Sequence, residues 1–397
     1  MKTVVVVPTY WGELNAGEEV IFDHPTPLNT KGTLAKLLDN LATFKEMENI
    51  PIYIIGISNK SILNEKVQKY LDEYLKPYKG KLKIELFSYN YLLECIKKLG
   101  DKKELAYLFE FKGYSQVRNF SLLPVVMNDI DLAIFLDDDE IIEDRDYFKK
   151  ALESINEETK YGKLYGKAGY YLTDGSYKVS TDNLPFWRYS GWNKAQYMND
   201  TFEGLIESEE RFLPTAIALG GNMVLTKNVI KDICYDIYVH RGEDMDYLFN
   251  ARMFGYNILF DNQLKITHMP PKHHSIEWKK ARADFYRFKY ARQKLKSLQK
   301  HFELEQITID DMMLYPGIFI KDDFEVRAKD YMQMLGMHYL AQGEIENYQG
   351  AMENMKVIFD DKRVEIDFIT KYKKQRNDWK EVLSILFGEK QSGNMSR

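Results

Sequence analysis

An α/β fold with a helical C-terminal region is predicted for this 397-residue chain. Three observations predict it. Short β-branched, apolar runs alternate with helical stretches through the first ~140 residues, the pattern of a parallel sheet. One of those runs ends in four successive carboxylates, Asp137, Asp138, Asp139 and Glu140. From residue 275 onward the texture becomes helical.

The elements follow in order. "TVVVV" at residues 3–7 is β-branched throughout, as expected of a strand buried on both faces, and Pro8 is expected to end it. "TLAKLLDNLATFKEM" carries apolar residues at 34, 37, 38, 41 and 44, a helical stripe. "IPIYIIGIS" reads as a second strand, "NEKVQKYLDEYLKPY" as a helix and "KLKIELFSY" as a third strand. A helix around "SQVRNFSLLPVVMN" precedes the fourth strand, "LAIFL". Ligands of such sheets bind outside the carboxyl ends of the strands. Pro8, Ser58 and the acidic cluster are all expected there.

Between residues 160 and 274, "YYLTDGSYKV" reads as strand and turn, and "LPFWRYSGWN" as an aromatic loop. "AIALGGNMVLT" suggests strand, double-glycine turn, strand. "GEDMDYLFNARMFGYNILFD" reads as a helix from Glu243 to Phe254, stopped at Gly255, then a strand. The boundary is placed near 274, giving domains 1–274 and 275–397. The basic, amphipathic "SIEWKKARADFYRFKYARQKLKSLQKHF" opens the second, with helices expected over 322–342, 344–358 and 377–386. "DYMQMLGMHYLAQGEIENYQGAMENM" suggests a helical hairpin, in a single copy that makes no solenoid.

Composition narrows the class. A formal net charge of -5 gives no global attraction to nucleic acid, and no motif supports one. Cys95 and Cys234 are the two cysteines, giving neither a disulfide framework nor metal-ligand spacing. The opening apolar run is too short for a secretory leader, and no run is long enough to span a bilayer. A cytoplasmic location is expected, with membrane-surface contact through the basic helix as the alternative reading. The oligomeric state is not legible.

The stretch "IFLDDDEII" poses the chemical question, because four ionised carboxylates repel one another unless a cation joins them. Mg²⁺ or Mn²⁺ commonly bridges carboxylates to substrate phosphates, and Asp137 and Asp139 could offer oxygens to such a complex. A solvated acidic turn is the bland alternative. Four further features favour a ligand site: "GYSQVRNFSL" with Arg118 and Asn119, the "LGGNMVLTK" glycine pair, "RGEDMDYLFNARMFGYN" with Glu243, Asp244 and Asp246, and "ITHMPPKHH" with His268.

In this order the motifs resemble those of GT-A glycosyltransferases, most closely the family 2 group and its relatives, over residues 1 to 274. The resemblance implies a nucleotide-sugar donor (a UDP- or GDP-sugar), a carbohydrate or small hydroxylated acceptor, and Mn²⁺ or Mg²⁺. It implies that Asp137, Asp139 and His268 hold the metal, with Asp137 and Asp138 near the nucleotide. Pro8, Thr9 and Tyr10 would line the base pocket, Arg118 would meet base or phosphate, and Gly221 would allow close approach to the donor. Asp244, with Glu243 beside it, would be the base of an inverting transfer.

Two departures stand out. The family often has an acidic base-reading residue after the second strand; here "IGISNKS" leaves Ser58 or Asn59 in its place. The insertion "GELNAGEEVIFDHPTPLNTKG" is long and either shapes the donor site or covers the sheet. A retaining transferase, a nucleotidyltransferase and a non-catalytic nucleotide-sugar scaffold are the rival readings. In the aromatic loop, Phe186, Trp187, Tyr189 and Trp192 either stack on sugar rings or pack the loop down. The basic helix is expected to stand outside the chemical centre, and His273 and His274 are expected in a loop.

Overall fold

The computed structural model describes residues 1–13, 22, 25–181, 191–269, 276–360 and 367–388. Seven strands of four residues or more build its sheet: β1 (Thr3–Gly12), β2 (Ile52–Ser58), β3 (Ile84–Phe87), β4 (Leu132–Phe135), β5 (Gly162–Leu172), β6 (Met223–Thr226) and β7 (Asn257–His268). Their order is β3-β2-β1-β4-β6-β5-β7, with short strands at the margins completing eleven among the described residues. β1 to β4 pair in parallel, while β6 runs antiparallel to both its neighbours. This mixed sheet with helices after it is the expected fold class and is consistent with a GT-A-like arrangement.

Strand period explains the layers. Val4, Val6, Tyr53, Ile55, Ala133 and Phe135 enter one core, and Val5, Val7, Ile52, Ile54, Leu132 and Ile134 the other. The alternation follows from side chains pointing to opposite faces at successive positions. On the second face lie α1 (Leu34–Leu41) and α2 (Asn64–Tyr74), whose leucines 34, 37, 38, 41 and 71 are buried there. On the first lie α3 (Tyr89–Leu99) and α4 (Tyr114–Met127). The order reverses at β1: the chain builds outward through β2 and β3, then crosses back to β4 on the other side. A crevice opens at such a point outside the carboxyl ends.

Several local expectations change. β1 runs through Pro8 to Gly12 instead of stopping there. Its pairing with β4 ends at Val6, so the N–H that Pro8 lacks interrupts no ladder on that side. The helix expected through Met47 ends at Leu41, and 3₁₀ turns follow over Lys45–Glu48. Residues 216–219 are not strand; only β6, after the glycine pair, is. α3 is a helix for which the sequence reading has no counterpart.

The remaining helices are α5 (Tyr147–Leu152), α6 (Lys194–Ile206), α7 (Lys227–Asp232), α8 (Glu243–Met253), α9 (Glu277–Leu298), α10 (Phe324–Ala341), α11 (Ile345–Ile358) and α12 (Phe368–Phe387). α10 and α11 form the expected hairpin. α12 begins about nine residues earlier than expected and packs on α3, α4 and α7. Its Trp379 donates to the Ile230 carbonyl at 3.0 Å, and its Tyr372 to that of Cys234 at 2.7 Å. The apolar core beneath is continuous across position 274: Phe285, Phe288, Trp379 and Leu383 share it with Val4 and Phe120. Both cysteines are buried, free thiols. Among the described residues no helix is long and apolar enough to cross a membrane.

Candidate active site

A cavity of about 520 Å³ opens at the β1/β4 switch point. Pro8 and Tyr10 come to it from β1, Tyr114 and Arg118 from α4, Asp137, Asp138 and Asp139 from the β4 end, Arg241 and Glu243 from the start of α8, and His268 from β7. Phe22, Pro25, Pro27 and Thr30 of the long insertion, with Thr33 just after it, form another wall. The described part of that insertion therefore shapes the cavity; its residues 14–21, 23 and 24 lie outside the described set.

The four carboxylates are accommodated in four different ways. Asp137 meets Arg118, with Oδ1 3.1 Å from Nη2. Asp138 accepts a short hydrogen bond from the Thr9 hydroxyl, and burial pushes its carboxyl up to about 7. Asp139 faces His268, Oδ2 to Nε2 3.3 Å, while its carbonyl accepts from Met269 N–H at 2.7 Å. Glu140 is fully buried, accepts the Asp137 N–H at 2.8 Å, and burial drives its proton affinity well up. Two members are thus pushed toward the neutral form, and two face a guanidinium and an imidazole. The cluster is not a solvated turn.

Arg118 is 6% exposed, and neither Nε nor Nη1 has a hydrogen-bond partner. Its nearest other carboxylate, Glu243, stands 3.6 Å from Nε, beyond hydrogen-bond length. Buried donors without acceptors are rare because each forfeits its hydration. Here they belong to a residue that lines an open cavity and whose Nη2 is turned to Asp137. Tyr10, Phe22 and Tyr114 form an aromatic wall nearby, with ring centroids 4.6 to 5.6 Å apart. Arg241, Phe22 and Tyr114 were not singled out as site residues in the sequence. Tyr114 sits four residues before Arg118 on the same helix face, the one signal that could have found it.

Other expected site residues hold the structure up and do not face the cavity. Thr9 is buried and takes the Trp11 indole N–H at 2.7 Å while holding Asp138. Ser58 donates to the Lys60 carbonyl at 2.7 Å, and Asn59 to that of Glu13 at 3.1 Å; neither lines the cavity. Asn119 is wholly buried and binds the Leu108 carbonyl and the backbone of Tyr235, so it meets no ligand. The Gly220–Gly221 turn makes room for side chains. A Cβ at Gly220 would lie 2.4 Å from Arg118 Nη2, and one at Gly221 2.1 Å from Glu140 Oε1. Gly221 N–H also donates to the Tyr171 hydroxyl at 2.9 Å.

Trp192 is 3% exposed and stacks on Tyr331 within the C-terminal helices, which makes it core and not a sugar platform. Phe186, Trp187, Tyr189, His273 and His274 lie outside the described residues.

Asp244 is the second residue of α8; Glu243 lines the cavity and Asp244 beside it does not. Its Oδ2 accepts Gly220 N–H at 3.1 Å and its Oδ1 accepts Met245 N–H at 2.8 Å. Burial raises its proton affinity, while the charges of Arg118 and Arg287 both oppose that rise. Arg287 belongs to α9 and is close enough for its charge to act on Asp244, while no described residue of α9 lines the switch-point cavity. Its Nη1 stands 2.8 Å from where a Cβ of Gly242 would be, and Gly242 has φ of +73°. Glycine at that position thus serves both the left-handed backbone and the arginine. Burial and the neighbouring Asp244 also raise Glu243.

Among the described residues no three His, Cys, Asp or Glu side chains converge as a preformed metal centre. Asp137 turns to Arg118 and does not join Asp139 and His268. That pair, one hard oxygen and one imidazole nitrogen beside an open cavity, suits a cation that takes its remaining ligands from a diphosphate and water.

No protein-family model and no curated protein matches this sequence. Among solved structures, the chain is similar to the mannosyltransferase PcManGT from Pyrobaculum calidifontis in complex with GDP-Man and Mn²⁺. The identity is 11%, over 98% of this chain and 88% of that one, with a TM-score of 0.49. It is also similar to a mycobacterial protein at 9% identity over 72% of this chain and 73% of that one, with a TM-score of 0.36. Likeness at that level assigns no chemistry to this chain.

Proposed function

We propose that this chain is a metal-dependent glycosyltransferase that moves a hexose from a nucleoside-diphosphate sugar to a hydroxylated acceptor with inversion. The observation that carries the reading is the buried Arg118 cation lining the same switch-point cavity as the Asp139–His268 pair. Tyr10, Phe22 and Tyr114 would stack on the base, with Pro8 beside them. Arg118 would take the diphosphate, held in place by Asp137. Asp139 and His268 would hold Mn²⁺ or Mg²⁺, which supplies neutralisation of the charge that develops on the departing diphosphate.

Asp244 is the base. The acceptor oxygen bonds to the anomeric carbon as the bond from that carbon to the diphosphate oxygen breaks. The leaving oxygen keeps the electron pair, and the hydroxyl proton passes to an Asp244 oxygen. Burial favours that carboxylate as a proton acceptor, and the Gly220 N–H fixes its direction. We assign residues 1–274 to this chemistry and 275–397 to a helical domain whose Arg287 acts on Asp244 through its charge.

The test is a panel of UDP- and GDP-sugars with Mn²⁺, scored for nucleoside diphosphate release without acceptor and then for transfer. One donor should react, and Arg118→Gln and Asp139→Ala should each abolish stabilisation by nucleoside diphosphate plus Mn²⁺. Asp244→Asn should keep that stabilisation and lose ~10²–10⁴ in transfer rate, the usual worth of a general base. Transfer at the wild-type rate by Asp244→Asn, or a product with the donor's anomeric configuration, removes the inverting assignment. A protein that no nucleoside diphosphate stabilises is not a transferase of this kind.

A further inference from the structure

A second cavity, of about 680 Å³, adjoins the first, and His268 lines both. Small-molecule sites commonly measure about 300–1,000 Å³. Its wall is formed by Tyr171 at the end of β5, Tyr177 beyond it, Met198 and Phe202 of α6, and Leu219 before the glycine pair. Thr173, Asp174 and Ser176 line it too and are exposed. Two contacts tie it to the switch point. The Tyr171 ring packs against His268 with centroids 4.9 Å apart, and its hydroxyl accepts Gly221 N–H at 2.9 Å. Leu219 stands one residue before Gly220, whose N–H is held by Asp244.

The segment after β5 is fixed in place before any ligand arrives. Asp174 and Gly175 have φ of +50° and +79°, the two left-handed residues that a two-residue hairpin turn requires. Thr173 and Ser176 exchange backbone hydrogen bonds of 2.8 and 3.0 Å across that turn. Beyond it, Asn199 of α6 accepts Val179 N–H at 2.8 Å and donates to the Val179 carbonyl at 2.9 Å, as a neighbouring strand would. Tyr177 donates to Glu207 at 2.8 Å, and Lys178 Nζ lies 3.1 Å from Glu203. Lys178 is the one lysine or arginine among the described lining residues, and that carboxylate already meets it. The wall therefore offers aromatic and aliphatic surface beside neutral hydroxyls and the Asp174 carboxylate. A pyranose matches it, because its C–H face packs on a ring while its hydroxyls bond to carboxylate and hydroxyl oxygens.

We infer that this second cavity binds the acceptor, and that the acceptor is an uncharged glycan with a sugar ring packed on Tyr177 and a hydroxyl bonded to Asp174. The acceptor role rests on the transferase reading; the carbohydrate site itself does not.

The experiment uses the full chain, labelled at its amino terminus, on a printed array of neutral and acidic mono- to tetrasaccharides, with and without Mn²⁺ and nucleoside diphosphate. The free form of the glycan retained is then titrated by calorimetry. A neutral glycan should bind, and Tyr177→Ala should weaken it about tenfold or more, the scale of one lost ring contact. Asp174→Asn keeps a residue that tolerates the left-handed turn, and it should weaken the same glycan with wild-type circular dichroism. Should Tyr177→Ala not fold, Asp174→Asn makes the measurement alone.

Retention of no glycan, retention of acidic glycans alone, or binding that the folded variants leave unchanged overturns the site. If a neutral glycan binds and the variants weaken it while nucleoside diphosphate stabilises nothing, the transferase reading falls and the carbohydrate site stands. If nucleoside diphosphate stabilises the wild type and no glycan is retained, the donor reading stands and this inference falls.

Discussion

Asp138 shows how much one residue's surroundings decide. Half-buried and held by Thr9, its carboxyl is pushed by desolvation up to about 7 from the ordinary 3.8. The folded state then holds this proton more tightly than the unfolded chain does. The contribution is fully present below pH 3.8 and is lost as pH rises toward about 7. Asp138→Asn has no proton to lose, so its melting temperature relative to wild type should rise between those limits in metal-free buffer. A constant difference across that range would place the titration elsewhere. Gly220 gives a second residue-scale expectation. An added methyl would press on Arg118 at 2.4 Å and push it off Asp137. Gly220→Ala should therefore weaken nucleoside diphosphate binding about tenfold or more while the far-ultraviolet circular dichroism stays native. Unaltered affinity would mean that Arg118 does not meet the diphosphate.

Among the elements, α8 carries the candidate base and is tied down from behind by a buried ion cluster. Lys294 of α9, 1% exposed, lies 2.9 Å from Asp246 on α8 and 2.9 Å from Asp236 just before it. Tyr290 and Gln375 complete the bonds to Asp236 at 2.6 and 3.0 Å, so α9 and α12 both grip the segment. Lys294→Met would leave two buried carboxylates without their counter-charge. Removing one partner of a buried pair costs about 3–5 kcal/mol, which denaturant unfolding should register. A loss below ~1 kcal/mol would show that the cluster takes on water or protons and holds α8 only loosely.

Across the whole molecule, the C-terminal helices act as the outer layer of the sheet domain. Trp379 is fully buried and bonds to the backbone of α7, some 149 residues away in sequence. Trp379→Ala should cost about 3–5 kcal/mol, and a chain cut near 274 should lose its solubility, because Phe285, Phe288 and Trp379 share one core with the sheet. Nucleoside diphosphate should still stabilise the full-length Trp379→Ala protein, since that indole bonds to α7 and does not line the cavity. If the variant unfolds with wild-type stability, α12 is an independent unit.

The sequence by itself determined the alternation of strands and helices, the acidic cluster at a strand end, and the helical texture after 274. Those are properties of neighbours in the chain: β-branching, residue period and the glycine that stops α8. The tertiary structure alone decided what each polar group faces. Thr9 holds Asp138 across 129 residues, and Lys194 meets Asp284 across 90. No local pattern could tell that Asp137 turns to Arg118, that Ser58 serves its own turn, or that Trp192 fills a core. Nor could the basic texture of α9 reveal which of its cations would arrive beside Asp244. A charge's role is set by the burial and partners it meets after folding, and those come from parts of the chain far apart in sequence.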